Sequence, residues 1–406
     1  MDTRRKLAIL ADAARFDAPC ARRLPGAPGE SSVPDQGICH AIAADGRTVA
    51  LLKVLLTNHC IHDCAYCVNR RSADVERARF TVTEIVRLTL DLFRQGVIEG
   101  LFLSSGVMRS ADFTMEQLTD VARTLRRDHG FAGYIHLKAI PEASPELLTE
   151  AGKWVDRLSV NVELPTQRHL DAIAPGRRLV TITRAMDRIR DGIAEAHEAQ
   201  RRSVRAPSFA PAGQVTQMVV GADDATDAQI LGTSAALYER QRLRRVYYGS
   251  YVPIVGAGDA VPDAAPPAAR EHRLYQADWL LRHYGFAVDE LVPDDAPNLD
   301  LDLDPKLAWA LRHRDAFPAD LNRATRRELL RVPGLGRMAV ERILTARRWR
   351  RLRTTDLLTL HVPVARVLPF VHAADPNPAL RLLDAPDLRD RLVRPRDQLD
   401  LFAAAG

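Results

Sequence analysis

The chain has 406 residues, of which 46% are hydrophobic and 27% charged, a balance typical of globular proteins that excludes disorder along the whole length. Its net charge is only +5, from 57 Lys and Arg against 52 Asp and Glu, which excludes a surface that binds polyanions everywhere. No segment approaches the roughly 20 apolar residues of a membrane span, and Asp12 and Arg15 interrupt the apolar core that a signal peptide needs, so we expect a cytoplasmic protein without membrane contact.

The N-terminal segment, residues 1–44, is predicted to be a helical extension. It contains Cys20 and Cys39, and a total of five cysteines, an odd number, does not suggest a disulfide framework. The two could belong to an auxiliary metal site or donate hydrogen near a reactive centre. Ordinary buried thiols are more common, and we expect that role for both.

Residues 45–260 alternate short apolar runs with helix-period segments. Two of the predicted helices cover residues 83–94, with Thr83 as a cap, and 114–128. Six strand-then-helix units predict an α/β fold with a parallel sheet, either open or a partial barrel, with its chemistry at the carboxyl ends of the strands. The predicted strands are residues 49–56, 101–105, 134–140, 158–164, 217–221 and 246–254.

Three cysteines follow the first predicted strand with the spacing C-x3-C-x2-C: Cys60, Cys64 and Cys67. Thiolates are soft ligands that favour iron–sulfur clusters, zinc or Cu(I). A structural zinc ion would need a fourth ligand, and His59 or His62 could serve. Three cysteines without a fourth ligand would instead leave one iron of a [4Fe–4S] cluster open.

This cysteine pattern, with Tyr66 just before the last cysteine, resembles the signature of the radical S-adenosylmethionine (SAM) superfamily. The resemblance implies a partial (β/α)6 TIM-like barrel and a [4Fe–4S] cluster whose open iron binds SAM. One electron, from a reductant such as flavodoxin or ferredoxin, then cleaves SAM to give a 5′-deoxyadenosyl radical. The cofactors supply this chemistry and the protein orients them.

The resemblance also implies where SAM is bound. The second strand ends at the place of the family's Gly-Gly-Glu-like turn, here without the glutamate, and the fourth strand faces the ribose and the carboxylate. Polar residues at alternate positions of that strand share one face, although a polar interior without a ligand is the alternative. Lys138 could pair with the SAM carboxylate or a substrate phosphate. The implied cofactor residues are Tyr66, Ser104, Ser105, Gly106, Ser159, Asn161, Glu163, Gln217 and Gly221.

A stretch rich in Gly, Pro and Ala, residues 256–269, indicates a linker, and residues 261–317 are predicted to hold this linker and further helices. The positive charge then concentrates. Residues 319–353 contain eleven arginines and three acidic residues, so they carry +8 and the remainder of the chain −3. A basic module on a mildly acidic body indicates a local polyanion site.

Residues 318–373 are predicted to form an all-α domain that resembles the double helix-hairpin-helix of DNA-uptake and repair proteins. Its first turn, Pro333-Gly334-Leu335-Gly336, can present backbone N–H groups to a phosphate. A second hairpin, expected at residues 357–367, lacks the glycines and is predicted to be a packing partner. A helical pair for protein contact is the alternative. The predicted DNA-binding residues are Gly334, Leu335, Gly336, Arg337, Arg342 and Arg347.

Residues 374–406 are predicted to be a flexible tail. Near its end, Gln398-Leu399-Asp400-Leu401-Phe402 resembles the peptide that binds the bacterial sliding clamp. An apolar Leu-Phe pair at a polar terminus has no core to enter, so a pocket on a partner would explain it. The alternative is a helical stub that docks on the body of the protein.

Together these features resemble the radical SAM proteins assigned to DNA modification or repair. We therefore expect an enzyme that uses a 5′-deoxyadenosyl radical to modify or repair a nucleotide in DNA. One alternative is the same chemistry on structured RNA, because phosphate contacts do not exclude an RNA backbone. Another is a cluster-bearing DNA sensor or adaptor without turnover.

Overall fold

The computed structural model describes residues 1–17, 37–42, 48–254 and 256–393. The chain divides into two compact units. Unit 1 contains Met1–Ala225 and Gly232–Pro266, and unit 2 contains Thr226–Leu231 and the chain from Pro267 onward. None of the helices in the described part of the chain has the length and apolar character needed to cross a bilayer.

Strands and helices alternate along the chain up to residue 250, as predicted. In chain order they are α1 (Thr3–Ala14), β1 (Ile38–Ile42), β2 (Thr48–Leu55), α2 (Val82–Arg94), β3 (Gly100–Ser104), α3 (Ala111–Arg123), β4 (Tyr134–Lys138), α4 (Pro145–Gly152), β5 (Arg157–Ser159), α5 (Gln167–Ile173), α6 (Leu179–Arg202), β6 (Val215–Val220), α7 (Asp227–Arg240) and β7 (Arg245–Ser250). A π-helical turn, Thr124–Asp128, continues α3.

The strands form a five-stranded sheet in the order β1-β2-β3-β4-β5 and a parallel pair, β6-β7. Within the sheet β2 to β5 are parallel, and β1 is antiparallel to β2. An isolated parallel bridge between Glu163 and Met218 connects the chain after β5 to β6. Six parallel strands therefore follow one another in chain order, which confirms the predicted α/β alternation.

The two faces of the sheet differ in chemistry. Side chains on one face are apolar and fully buried, for example Leu103 on β3 and Leu137 on β4. Alternate residues point to the other face, where Phe102, His136 and Lys138 are buried as well. This second, inner face therefore holds buried polar groups, which need partners from within the protein or from a ligand.

Three local predictions for this unit were wrong. Helix α2 is capped by Thr81 and not by Thr83, because the Thr81 hydroxyl accepts from the Glu84 N–H while the Glu84 carboxylate accepts from the Thr81 N–H. Strand β1 was not predicted, since a five-residue run of mixed polarity gives little periodic signal. The fourth predicted strand, residues 158–164, ends at Ser159.

Unit 2 is mostly helical. Its further elements are α8 (Ala268–Tyr284), α9 (Val288–Leu291), α10 (Pro305–Arg312), β8 (Ala319–Asp320), α11 (Arg326–Arg331), α12 (Arg337–Ala346), α13 (Asp356–Thr359), α14 (Val364–Val367), β9 (Val371–His372) and α15 (Leu388–Leu392). The short parallel pair β8-β9 departs from the all-α prediction. The 3-10 turn Pro378–Leu382 and α15 lie where a flexible tail was predicted.

Candidate active site

The three clustered cysteines lie together in the loop after β2. Cys64 is buried, Cys60 and Cys67 are partly buried, and no disulfide joins the cysteines of the described ranges. The Ile61 N–H donates to the carbonyl of Val107 at 2.8 Å, and the Cys67 N–H to the carbonyl of Cys64 at 2.9 Å. The loop is therefore held against the segment that follows β3.

One arginine organises the second half of this loop. The Arg77 guanidinium donates to the backbone carbonyls of Asn58, Asn69, Arg70 and Ala73, at 2.6 to 2.9 Å for the last three. Carbonyls gathered around one cation hold the loop in a single conformation without using a cysteine. The protein itself thus positions the thiols.

Burial raises the pKa of Cys64 to about 11 and that of Cys67 to about 12, so without a bound cation both thiols stay protonated at neutral pH. The Tyr66 hydroxyl hydrogen-bonds Cys64, and burial raises the pKa of Tyr66 well above its usual value. An iron cluster would bind the thiolates and release their protons. Three soft donors in one loop fit the cluster that the spacing predicts.

Zinc ligation by these residues was the open alternative. A single ion needs its ligands gathered around one point, and no three His, Cys, Asp or Glu side chains are so gathered in the ranges that the structure describes. A cluster instead takes one thiolate on each of three irons, so its ligands lie farther apart.

The turn after β3 approaches the cysteine loop closely. The Gly106 N–H donates to the carbonyl of Thr57 at 2.8 Å, and a Cβ at Gly106 would lie only 2.4 Å from the carbonyl oxygen of His59. Only glycine fits there. Ser105 turns its hydroxyl to the carbonyl of Gly106 at 2.7 Å, so its side chain is engaged locally. The predicted Ser104-Ser105-Gly106 turn thus borders the cysteines.

The polar residues after β5 are not on one strand face, contrary to the prediction. Ser159 ends β5, whereas Glu163 has a φ of 65° and exchanges backbone hydrogen bonds with Gln217 and Val219 of β6, at 3.0 and 2.7 Å. Ser159 and Glu163 are therefore not residues of one strand, and their side chains do not share a strand face. Asn161 hydrogen-bonds the Glu163 carboxyl, whose pKa is raised by burial.

Arg177 is a site residue that the sequence did not indicate. It follows a Pro-Gly turn after α5, a context that predicts only a loop. Its side chain is 14% exposed, pairs with Glu142 at 3.2 Å, and interacts electrostatically with Tyr66, Glu163 and Cys64. Its Nε is buried without a hydrogen-bond partner among the described residues. A guanidinium with an unused N–H beside the cysteines fits a cofactor that carries a carboxylate, as SAM does.

A second polar cluster fills the inner face of the sheet. Lys138 Nζ donates to the Asp17 carboxylate at 2.6 Å and to the Gln217 side-chain oxygen at 3.3 Å, and the Ser104 hydroxyl also donates to Asp17. Burial opposes ionisation of Asp17, but Lys138 and Lys53 outweigh it and lower the pKa of the carboxyl. Two predicted cofactor residues therefore belong to this cluster, Ser104 through Asp17 and Gln217 through Lys138.

A buried histidine lies beside this cluster. His136 stacks on Phe102 with ring centroids 4.3 Å apart, and its Nε2 is 2.7 Å from the Ser159 hydroxyl. Burial, with Arg157 and Lys138 nearby, lowers the pKa of His136 well below its usual value, so the ring is neutral. Ser159 thus has a protein partner.

The predicted Gly221 has a φ of 80° at the end of β6, and a Cβ there would meet Pro266 at 2.6 Å.

Cys39 lies apart from the three clustered cysteines in sequence, on β1. It is buried against Leu51 and Phe102 in an apolar cluster. Cys20 lies outside the described residues, as does the clamp-like motif Gln398, Leu399, Asp400, Leu401 and Phe402.

In unit 2, α11 and α12 are joined by the predicted glycine turn. Val332, Leu335 and Ile343 are almost completely buried between the helices. Gly334 has a φ of 84°, and a Cβ there would lie 2.9 Å from the Val367 side chain. Gly336 is the N-cap of α12, makes no side-chain cap, and has only the Tyr284 hydroxyl within 4 Å of an added Cβ. The first N–H groups of α12 are therefore not covered by a cap.

The predicted DNA-binding arginines differ in their surroundings. Arg337 is exposed at the start of α12, and Arg342 is exposed but donates to the Leu360 carbonyl at 3.2 Å. Arg347 donates from one nitrogen to the carbonyls of Leu321 and Ala324, at 3.3 and 2.6 Å. Arg347 thus has a structural role, and the sequence could not show it because its partners lie 23 and 26 residues away.

A buried lysine, Lys306, hydrogen-bonds a backbone carbonyl of the glycine turn. Lys306 Nζ donates to the Leu335 carbonyl at 2.5 Å and lies 4.9 Å from the centroid of the Tyr284 ring. Burial, helped by Arg331, lowers the pKa of Lys306 to about 7. The side chain therefore titrates near neutrality at the base of the turn.

This pKa predicts a pH dependence of stability. The unfolded chain keeps the Lys306 proton up to its usual pKa of 10.5, whereas the folded chain releases it near 7, so the contribution of Lys306 to stability becomes more favourable as the pH rises through this window. We expect the Tm of the full-length protein relative to Lys306→Met to increase between about pH 6 and pH 9. Lys153→Met, at an exposed residue, is the control. A difference that is constant across this range would contradict the assignment.

Comparison with known proteins gives one family match. The model of the radical SAM superfamily matches residues 54–201, which run from the end of β2 into α6 and include the cysteine loop. No curated protein matches the chain.

Several solved structures are similar over part of the chain. The hydrogenase maturase HydG from Carboxydothermus hydrogenoformans aligns at 13% identity over 56% of this chain and 50% of that one, with a TM-score of 0.43. Methylornithine synthase (PylB) aligns at 12% identity over 54% and 59%, with a TM-score of 0.41. Coproporphyrinogen III oxidase (HemN) from Escherichia coli aligns at 15% identity over 64% and 57%, with a TM-score of 0.35. The chain spans about half the length of the solved HydG structures.

Proposed function

We propose that this enzyme, whose residues 54–201 form a radical SAM superfamily domain, modifies or repairs a nucleotide in DNA. Enzymes of the superfamily use a [4Fe–4S] cluster and SAM, which are therefore the cofactors of this chain. When bound, the cluster, once reduced by an external donor, would pass one electron to SAM to give methionine and a 5′-deoxyadenosyl radical, which would abstract a hydrogen atom from the nucleotide. Cys60, Cys64 and Cys67 would hold the cluster, with Arg177 available to a carboxylate.

The observation that carries the choice of DNA is the start of α12. Gly336 leaves the first N–H groups of this ten-residue helix without a side-chain cap, and Arg337 is exposed beside them. Helix N-termini attract phosphates through these N–H groups and the helix dipole. The segment around it carries +8, which suits a polyanion and does not select a sequence.

A carboxylate placed at the N-cap should separate phosphate binding from folding. Gly336→Asp can cap α12 with its own side chain, so we expect the Tm to stay unchanged or rise. The same carboxylate would occupy the phosphate position and repel DNA, so the affinity for duplex DNA should fall by about tenfold or more. The loss should be similar for every sequence, measured by fluorescence anisotropy at fixed salt.

Gly336→Ala is the matched control, because it adds volume without charge and has room for a Cβ. It should weaken binding much less than Gly336→Asp. Equal affinities of the wild type and Gly336→Asp for DNA would mean that the start of α12 is not a phosphate site.

The catalytic part of the proposal is tested by anaerobic incubation of the reduced protein with SAM and damaged or undamaged DNA. Formation of 5′-deoxyadenosine together with an altered nucleoside, detected by mass spectrometry, would support it. Deuterium transfer from labelled DNA into 5′-deoxyadenosine would locate the hydrogen. Turnover with tRNA and none with DNA would favour RNA modification. If the protein cleaves no SAM with DNA and none with tRNA, the result would favour a sensor or adaptor.

Partners and location are part of the same proposal. The tail motif from Gln398 to Phe402 would bring the enzyme to the sliding clamp, with Leu401 and Phe402 as apolar anchors. A reductant such as flavodoxin or ferredoxin would supply electrons. We assign the protein to the cytoplasm, since thiols are kept reduced there.

A further inference from the structure

The most exposed aromatic group described in unit 2 is the indole of Trp349, just after α12. Trp349 is 85% exposed, whereas Trp309 of the same unit is 7% exposed and Trp279 is 50% exposed. A tryptophan has a large apolar surface that is normally at least partly covered. Its exposure indicates a contact that this chain does not itself supply.

The segment that presents this indole is fixed on both sides. Before it, Arg347 binds the carbonyls of Leu321 and Ala324. After it, Leu352 is fully buried, and its N–H and carbonyl pair with the Asn322 side chain at 2.7 and 3.1 Å. Trp349 therefore projects from a short, anchored turn, so little entropy would be lost when it binds a ligand.

The residues next to the indole are basic. Arg348, Arg350 and Arg351 are all exposed. Arg350 pairs with Asp356 at 2.7 Å, while Arg348 and Arg351 make no ion pair with any residue that the structure describes. An aromatic ring among exposed guanidinium groups complements a nucleic-acid strand, because bases stack on the ring while phosphates meet the arginines.

We propose that Trp349 stacks on an unpaired base, so that the preferred substrate is DNA with an unpaired or displaced nucleotide and not an intact duplex. This inference rests on the proposed function. A duplex buries the faces of its bases in the stack, and its phosphates alone meet α12 and the arginines. Chemistry on a base requires it to leave the stack, which costs least where the base is already unpaired.

The test compares Trp349→Ala with the full-length wild type on a single-stranded oligonucleotide, a duplex with one unpaired nucleotide and an intact duplex. We expect about 5- to 150-fold weaker binding of the first two DNAs and little change for the intact duplex. Trp349→Phe should retain most of the affinity. Trp279→Ala is the matched control, since that indole is also exposed but packs on His283 at 4.1 Å; it should change nothing.

A second readout reports the stacking itself. With 2-aminopurine at the unpaired position, the wild type should quench its fluorescence and Trp349→Ala should not. Equal effects of Trp349→Ala on all three DNAs, or no effect on any, would overturn the inference while leaving the proposed function in place. Failure of the wild type to bind any DNA would overturn the proposed function as well. Loss of binding in Gly336→Asp on all three DNAs would show that the assay detects phosphate contacts.

Discussion

Cys64→Ala is expected to lack the iron–sulfur cluster entirely. A [4Fe–4S] cluster held by three thiolates loses one of its three protein ligands when a cysteine is removed, and alanine offers no ligand atom in its place. Anaerobically prepared wild-type protein should contain about four iron atoms per chain and show a spectrum that changes when SAM is added. The variant should contain almost none, and Cys60→Ala and Cys67→Ala should behave alike.

Cys39→Ala is the matched control, because Cys39 is a buried cysteine of the same unit that packs against Leu51 and Phe102. It should keep its full iron content and the response to SAM. Cys20→Ala should do the same, which tests the expectation that neither thiol is a ligand. Full iron in Cys64→Ala, or loss of about half the iron in Cys39→Ala, would show that the ligand set is wrong.

Arg177→Met should cost about 3 kcal/mol of unfolding free energy. The substitution leaves Glu142 without its partner in a partly buried position and removes the positive charge that faces Glu163 and Cys64. A buried charge that loses its partner keeps its desolvation cost without compensation. Urea denaturation of the full-length protein should show the loss as a lower midpoint with an unchanged slope.

Arg168→Met provides the comparison, because Arg168 forms an ion pair of similar length with Asp224 at the surface, where both side chains are more than half exposed. Such pairs contribute about 1 kcal/mol or less. The double variant Glu142→Gln with Arg177→Met should recover part of the lost stability. Equal costs for Arg177→Met and Arg168→Met would mean that Arg177 is an ordinary surface arginine.

Local sequence patterns predicted the parts of the fold that local chemistry determines. The apolar runs around Leu52, Leu103 and Leu137 mark strands because their side chains are buried on one face and their neighbours on the other. The spacing of Cys60, Cys64 and Cys67 was informative for the same reason, since one short loop brings all three thiols together.

Contacts between distant parts of the chain could not be predicted in this way. The ion pair between Asp17 and Lys138 joins residues 121 positions apart, and no periodicity connects them. Arg177 reaches Glu142 from a turn whose sequence indicates only a loop. Glu163 has a positive φ and bridges Met218 of β6, so its prediction as a residue of the fourth strand followed the local pattern and missed this tertiary contact.

The contacts of the N-terminal segment, residues Phe16 and Asp17, can form only late during synthesis of the chain. The Phe16 carbonyl accepts a hydrogen bond from the Gln217 side chain, 201 residues later. A ribosome adds roughly 5 to 20 residues per second, so the N-terminal segment waits about 10 to 40 seconds for this partner. The cysteine loop emerges early in that interval. The hydrogen bond that joins the N-terminal segment to β6 can therefore form only after the cysteine loop and the five-stranded sheet have been synthesised, so it is among the last contacts of this unit to be made.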